Sequence, residues 1–504
     1  MGFRGVLEGF YGRPWTWDER IEVSQFCAAR GMTHYVYAPK DDPKQRHAWR
    51  EPYTDAELDE FRRVAREGGL VLGCSVSPGL DIDYRSDADR ALLMAKIEQF
   101  ISTGAGLISL QFDDIPHRPE LGVDHADITT WVHRELGGAA ILTMCPVEYV
   151  GWDRTPYLDA IADGLPLDVP ICWTGRYVVN EAITVEDAER RSAVLGGRKP
   201  SLWDNYPVND GYMVDELYLG PLRGREPGLE DACDGLMFNA LVQPRAGTLP
   251  LASIAAWLRG DDPVAAWRDE ADALGWRTFA EACDGEVPRA LAQALVDERG
   301  AIGWAEAMRP LVAWLEDAAH CSAPGIEDEV PQFLTAVRAE AAFALRALRA
   351  YQDTKPVAVI DASGVGRAVP HDEDACMKHS GMMVLGWKGV RRREQQVLGA
   401  RLSTKVSFGT ASTGGFSFSD EVVREDQSAV DAIVRATIAE AAAIEWPEPL
   451  QVMADGAAVP VADDGSFIVP SGSTVVIRSG RAATRCTVPF EPPLPERRLG
   501  TVPA

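Results

Sequence analysis

Two adjacent carboxylates, Asp113 and Asp114, close the stretch Gly106-Leu-Ile-Ser-Leu-Gln-Phe-Asp-Asp-Ile-Pro116. The stretch begins with the unbroken hydrophobicity of a strand covered on both faces, and Pro116 ends it. Neighbouring strand residues point to opposite sides. A strand over residues 107–113 therefore lets the two acids share a site and do different work. Such a pair suits general acid–base chemistry, in which one carboxyl holds a proton that the other has given up. Taken alone, the stretch reads equally well as a strand end breaking into a polar loop.

Other residues capable of chemistry collect at the ends of similar runs. They are Glu8-Gly-Phe-Tyr-Gly-Arg-Pro-Trp15, Tyr37-Ala-Pro-Lys-Asp-Asp42, Ser77-Pro-Gly-Leu-Asp81, Cys145-Pro-Val-Glu-Tyr149, Trp173-Thr-Gly-Arg176, Trp203-Asp-Asn205 and Asn239. Aromatic walls with amides, one lysine and carboxylates suit a neutral sugar, whose ring stacks on Trp or Tyr while its hydroxyls need paired donors and acceptors.

The elements that must position these residues recur evenly. Strand-like runs fall at 3–8, 33–38, 70–77, 107–113, 140–147, 168–174, 200–204 and 235–240, about 28 to 37 residues apart, which is the length of a βα unit. Helical patterns lie between them. One spans 18–30 and stops at Gly31, one opens at the capping box Thr54-Asp-Ala-Glu57, and one spans 86–103 before Gly104. Eight such repeats predict a (β/α)8 TIM barrel over residues 1–260, with its site at the C-terminal strand ends. A doubly wound open sheet rarely shows eight even repeats.

Residues 261–355 are rich in Ala, Leu, Arg and Glu with helical spacing, as over 288–304 and 333–351, and read as an α-helical bundle. Residues 356–504 read as a small C-terminal α/β or β appendage. Within it lie an apolar run at 357–360, a Gly/Ser/Thr-rich segment at 407–419, a helical pattern at 427–445 and short strands with Asp-Gly and Ser-Gly turns over 448–490.

Across 504 residues, 46% hydrophobic and 25% charged content is that of a globular chain of several domains. A formal net charge of −26 argues against a nucleic-acid binder, since a phosphate backbone wants a basic face, and disfavours an anionic membrane surface. Nine scattered cysteines without a CxxC pair read as reduced thiols. With no leader pattern and no apolar run approaching 18 residues, the expected address is cytoplasmic. His371-Asp-Glu-Asp-Ala-Cys-Met-Lys-His379 holds metal-capable groups, but a charged loop explains it as well, and Gly364-Val-Gly366 lacks the rest of a dinucleotide fingerprint. No metal and no organic cofactor is expected.

Taken in order, residues 8–15 and 37–42, Ser77-Pro-Gly-Leu-Asp-Ile82, Phe112-Asp-Asp-Ile115, Pro146-Val-Glu-Tyr149, Trp203-Asp-Asn205 and Leu219-Gly-Pro-Leu-Arg-Gly224 resemble the motifs of glycoside hydrolase family 84 over about residues 3–260. Those enzymes are β-N-acetylglucosaminidases, O-GlcNAcases among them. The resemblance implies substrate-assisted catalysis, in which the substrate's own 2-acetamido oxygen is the nucleophile and an oxazoline the intermediate. It gives Asp113 the acetamido N–H, Asp114 the leaving oxygen as acid and then the water as base, and Tyr149 the acetamido oxygen. Asn205 also matches a residue touching the acetamido group. Trp203 matches the wall around the acetyl methyl, and Tyr11 a pocket-lining aromatic. Gly9, Lys40, Asp210 and Asn239 match positions that bind sugar hydroxyls, with Asp210 on O4 and O6. Val147 and Pro116-His117 depart from the family's pattern beside the acids.

The implied activity is retaining exo-hydrolysis of terminal β-linked GlcNAc from a glycoside or glycoprotein. The rival readings are a hexosaminidase acting on hyaluronan-like or cell-wall oligosaccharides and a catalytically silent GlcNAc-binding barrel. The oligomeric state is not legible in the sequence.

Overall fold

The structure is a computed structural model describing residues 2–118, 120–214, 216–297, 301–352, 356–360, 365–370, 402–410, 416–424, 451–462, 466–469, 473–479 and 482–487. Strands β1 (Phe3–Glu8), β2 (His34–Tyr37), β3 (Val71–Val76), β4 (Leu107–Gln111), β5 (Ile141–Cys145), β6 (Ile171–Trp173), β7 (Pro200–Asp204) and β8 (Gly235–Asn239) form a closed barrel in chain order. Every pairing is parallel, and β8 closes on β1 with Phe3 opposite Gly235. Around them run α1 (Trp17–Ala28), α2 (Asp55–Glu67), α3 (Asp87–Ser102), α4 (Leu121–Leu136), α5 (Pro156–Gly164), α6 (Val185–Val194), α7 (Leu229–Ala232) and α8 (Thr248–Leu258). The eight expected strands are all present, several of them trimmed at their ends.

Local chemistry sets the helix starts. Thr16 with Glu19, Thr54 with Glu57 and Thr184 with Asp187 form reciprocal capping boxes on α1, α2 and α6. Between helices and strands, Phe61 meets Trp17, Tyr37, Tyr53 and Phe100 with ring centroids 4.8 to 5.6 Å apart, tying α1, β2, α2 and α3 together. Inside the barrel, Phe3, Leu7, Val36, Leu107, Cys172, Trp203 and Met237 are all buried. The cavity they line measures only about 20 Å³, so the interior is packed core and not a pore.

Two buried ion pairs fix strand ends. Arg20 on α1 grips Glu8 through Nε at 2.8 Å and Nη2 at 2.9 Å, and Tyr35 donates to the same carboxylate. Arg225 grips Asp204, the last residue of β7, with two bonds of 2.7 Å. Removing one partner of such a pair strands a buried charge, at roughly 3–5 kcal/mol. Both pairs hold backbone from which the polar loops depart.

Beyond the barrel lie α9 (Pro263–Leu274), α10 (Arg277–Asp284), α11 (Glu286–Asp297), α12 (Ala301–Ala319) and α13 (Pro331–Gln352). The helical pattern at 288–304 covers the end of α11 and the start of α12, with residues 298–300 outside the described residues. Among the described residues nine strands follow: β9 (Pro356–Ile360), β10 (Val365–Pro370), β11 (Leu402–Thr410), β12 (Phe416–Arg424), β13 (Gln451–Ala454), β14 (Ala457–Val459), β15 (Ser466–Ile468), β16 (Thr474–Ser479) and β17 (Ala482–Thr487). Asp455 and Gly456, at φ of 50° and 85°, make the two-residue turn from β13 to β14, as the Asp-Gly pair predicts. The chain divides into two compact units. One holds the barrel, α9, residues 323–330 and the β11–β12 hairpin; the other holds α11–α13, β9, β10 and β13–β17. The metal-capable segment 371–379 and the helical pattern at 427–445 lie outside the described residues. Among the described residues no helix is long and apolar enough to cross a membrane.

Candidate active site

Strand β4 ends at Gln111, two residues earlier than the sequence suggests, so strand alternation does not aim the two acids. A turn does. Asp114 adopts a left-handed backbone, φ 54°, which Asp tolerates better than most residues with a Cβ. Asp113 is buried and Asp114 half-buried.

The two carboxylates have different surroundings. Lys40, beyond the end of β2 and itself buried, places Nζ 2.5 Å from Asp113 Oδ2 and donates to Gln111 Oε1 at 2.9 Å. The other oxygen of Asp113, Oδ1, is buried and has no hydrogen-bond partner among the described residues. Burial pushes the Asp113 pKa up, but the charges of Lys40 and Arg46 outweigh it and hold the carboxyl below its ordinary value. Asp114 instead accepts from two phenols, Tyr149 at 2.8 Å on Oδ1 and Tyr11 at 2.9 Å on Oδ2. Burial, then the Asp114 charge, push both phenols well above their ordinary pKa, so each remains a donor at any working pH. One carboxylate is thus paired with a cation and the other with neutral hydroxyls. That asymmetry gives two acids two roles.

The rest of the expected set gathers at the same barrel end. Asp210 Oδ2 accepts the Tyr11 backbone N–H at 2.7 Å. Asn239, at the end of β8, accepts from the Gly9 N–H at 3.0 Å and donates to Asn205 Oδ1 at 2.9 Å. The same Asn205 oxygen takes the Trp203 indole N–H at 3.0 Å, and Asn205 Nδ2 donates to the Val178 carbonyl. Gly9, Trp203, Asn205 and Asn239 are therefore one linked wall.

Gly9 is needed for its lack of a side chain. A Cβ there would lie 2.5 Å from Trp203 Cζ2 and 2.3 Å from Leu7 Cδ1. Gly9→Ala must push the indole off its place, as overpacked cores do at about 1–3 kcal/mol. We expect a lowered melting temperature and weaker binding of a sugar-shaped inhibitor, measured by thermal unfolding and calorimetry. An unmoved inhibitor affinity would contradict the close approach.

Asp210 offers a second test. Burial, the largest cause, with the Asp114 charge pushes its pKa from 3.8 to about 6 against the lowering bond from Tyr11. An acid whose folded pKa is raised binds its proton more tightly when folded. Its contribution to stability falls as pH rises from about 4 to about 6 and stays low above that. Asp210→Asn removes this penalty. The variant should be more stable at pH 7 by roughly 1–3 kcal/mol, the upper figure being the whole shift and the lower one discounted for solvent at a partly exposed side chain. The gain should vanish near pH 4. Melting curves at the two pH values check this, and equal gains at both would contradict it.

Sequence reasoning passed over several residues that the fold brings here. Gln111 supports Lys40, and Gln45 donates to Ser75 and Ser77 at 2.9 and 2.8 Å beneath it. Arg46 donates to the Asp114 carbonyl at 2.7 Å. Buried Arg191 donates to the Glu148 carbonyl, next to Tyr149. Arg46 and Gln45 follow Lys40-Asp-Asp42 within four residues, and that polar run was the one available signal. Among the described residues no group of three or more His, Cys, Asp or Glu side chains is placed to hold a metal ion.

Comparison with known proteins finds relatives of the chain. Residues 4–286 match the family model described as beta-N-acetylglucosaminidase. The chain is similar to Protein O-GlcNAcase of Rattus norvegicus, with 32% identity over 275 residues, which are 51% of this chain and 30% of that protein. The Mus musculus protein of the same name matches to the same extent. The chain thus spans under a third of the length of these relatives. Among solved structures, a mutant O-GlcNAc hydrolase of Thermobaculum terrenum superposes with a TM-score of 0.68 at 23% identity, covering 87% of this chain and 95% of that one. At that identity the likeness is one of fold.

Proposed function

The chain belongs to the beta-N-acetylglucosaminidase family, and from that premise we propose that it is a retaining exo-β-N-acetylglucosaminidase working by substrate-assisted catalysis. Its substrate is a terminal β-linked GlcNAc on a glycoprotein hydroxyl or a small glycoside. The observation that carries the reading is the buried Oδ1 of Asp113, without a hydrogen-bond partner among the described residues, whose other oxygen Lys40 holds. A buried carboxylate oxygen without a donor is costly unless a ligand supplies one. An acetamido N–H is a donor of the right kind.

The steps follow from the two environments. The acetamido oxygen attacks C1 from within the substrate as the C1–O bond to the leaving group breaks. Asp114, in its protonated form, gives that proton to the departing oxygen. Positive charge develops on the acetamido nitrogen, and the ionised Asp113 accepts its N–H and stabilises the charge. The Tyr149 hydroxyl transfers its hydrogen bond from Asp114 to the acetamido oxygen, while Tyr11 keeps its bond to Asp114. Water then adds to C1 of the oxazoline as the bond from C1 to the acetamido oxygen breaks and restores the acetamido group, Asp114 takes the water's proton, and the anomeric configuration is retained. Trp203 walls the acetyl methyl. Lys40, Asn239, Asp210 and the Gly9 backbone meet the sugar hydroxyls.

Substrate selectivity tests this. The chain should hydrolyse 4-nitrophenyl β-N-acetylglucosaminide and leave the corresponding β-glucoside, which has no acetamido oxygen to attack. Comparable rates on both would overturn the substrate-assisted mechanism.

A further inference from the structure

A second element reaches the acid turn from outside the strand that carries it. The turn after β2 sends Arg46 inward, where it is buried, 4% exposed. Its Nη2 donates to the main-chain carbonyl of Asp114 at 2.7 Å. Its Cζ lies 5.9 Å from the centre of the Tyr11 ring, whose hydroxyl bonds the Asp114 carboxylate. The neighbouring Gln45 fastens the same turn, bonding Ser75 and Ser77 through its side chain and the Ser77 N–H through its carbonyl.

That carbonyl belongs to a residue in the left-handed region at φ 54°. Such a conformation persists in a residue with a Cβ only when its surroundings over-determine it. A partly buried carbonyl also needs a donor. Arg46 meets both needs with one bond, and its planar fork, fixed by the turn, is suited to a single geometry.

We propose that Arg46 is a positioning residue for the general acid: its bond to the Asp114 carbonyl holds the left-handed turn that aims the Asp114 carboxylate between Tyr11 and Tyr149. The inference rests on the reaction proposed above. Arg46 touches no reacting atom in it. Its loss mis-aims the proton donor and leaves the linked wall of Gly9, Trp203, Asn205 and Asn239 in place; the charge it lends to Asp113 is lost in Arg46→Met and kept in Arg46→Lys.

The test compares wild type, Arg46→Met and Arg46→Lys on two substrates that differ only in leaving group, phenyl and 2,4-dinitrophenyl β-N-acetylglucosaminide. Protonation matters for the phenolate and little for the dinitrophenolate. Arg46→Met should lose on the order of 100-fold in kcat on the phenyl glycoside, the scale of a roughly ångström-sized misplacement of a catalytic group. On the dinitrophenyl glycoside the loss should be smaller by about tenfold or more, with KM and the affinity for a thiazoline mimic of the oxazoline nearly unchanged. Arg46→Lys, which keeps a donor on a flexible stem and the charge beside Asp113, should recover part of the loss on the phenyl glycoside and leave the dinitrophenyl glycoside close to wild type. If the Met variant does not fold, the Lys variant carries the comparison, and its loss must still be confined to the poor leaving group. Equal losses on both glycosides, or no loss, would overturn the positioning role while leaving the proposed reaction standing. A wild type inert on both glycosides would overturn the reaction itself, and this inference with it.

Discussion

Asp113→Asn should lower kcat on aryl β-N-acetylglucosaminides by on the order of 10³-fold, roughly 4 kcal/mol of transition-state stabilisation, whatever the leaving group. The reason is where charge develops. Ring closure to the oxazoline places positive charge on the acetamido nitrogen in every substrate, so losing the carboxylate opposite it harms good and poor leaving groups alike. The wild-type carboxylate is ready for this at neutral pH, because the charges of Lys40 and Arg46 hold its pKa low against the pull of burial. Asparagine keeps the shape and loses the charge. It also leaves the buried Lys40 ammonium facing a neutral amide, with Gln111 as its remaining partner, so a lower melting temperature should accompany the loss of rate. Steady-state kinetics over a series of leaving groups check this. A loss that grows as the leaving group worsens would assign proton donation to Asp113 and contradict the division of roles.

Asp114→Ala should give the opposite pattern. On a phenyl glycoside or a glycopeptide the loss should be about 10²–10⁴-fold, the usual range for a general acid. On a dinitrophenyl glycoside the first step should survive and the second, which needs the same carboxylate as base, should become limiting. The variant should then accumulate the oxazoline and show a burst of dinitrophenolate before a slow steady state. The asymmetry is written into the hydrogen bonds: among the described residues Asp114 receives neutral phenols and Asp113 receives a cation. A uniform loss with no burst would contradict it.

The barrel was legible because its strands are buried on both faces and therefore read as apolar runs, separated by capped helices of ordinary length. Thr54 and Glu57 marked a helix start, and Asp455-Gly456 marked a hairpin turn, because short-range chemistry decides both. The site residues were legible as strand ends but not as partners. Lys40 and Asp113 meet across a separation of sequence that no periodicity encodes. Arg46 reaches Asp114 over 68 residues. The left-handed turn at Asp114 carries no glycine to announce it, so the strand was read two residues too far and the aiming of the acids was ascribed to alternation. Gln111 lies in the strand as expected, at its last position, but nothing in the sequence shows that its side chain supports Lys40. Long-range satisfaction of buried polar groups is what the sequence alone withholds.

The most direct test of the account is the anomer formed first. Hydrolysis of an aryl β-N-acetylglucosaminide by the wild type, followed by proton NMR before mutarotation blurs the signal, should show the β-hemiacetal of GlcNAc as the initial product, with strong inhibition by a thiazoline mimic of the oxazoline. Initial appearance of the α-anomer would mean direct attack by water with inversion. It would leave the partnerless oxygen of Asp113 without the role given to it here.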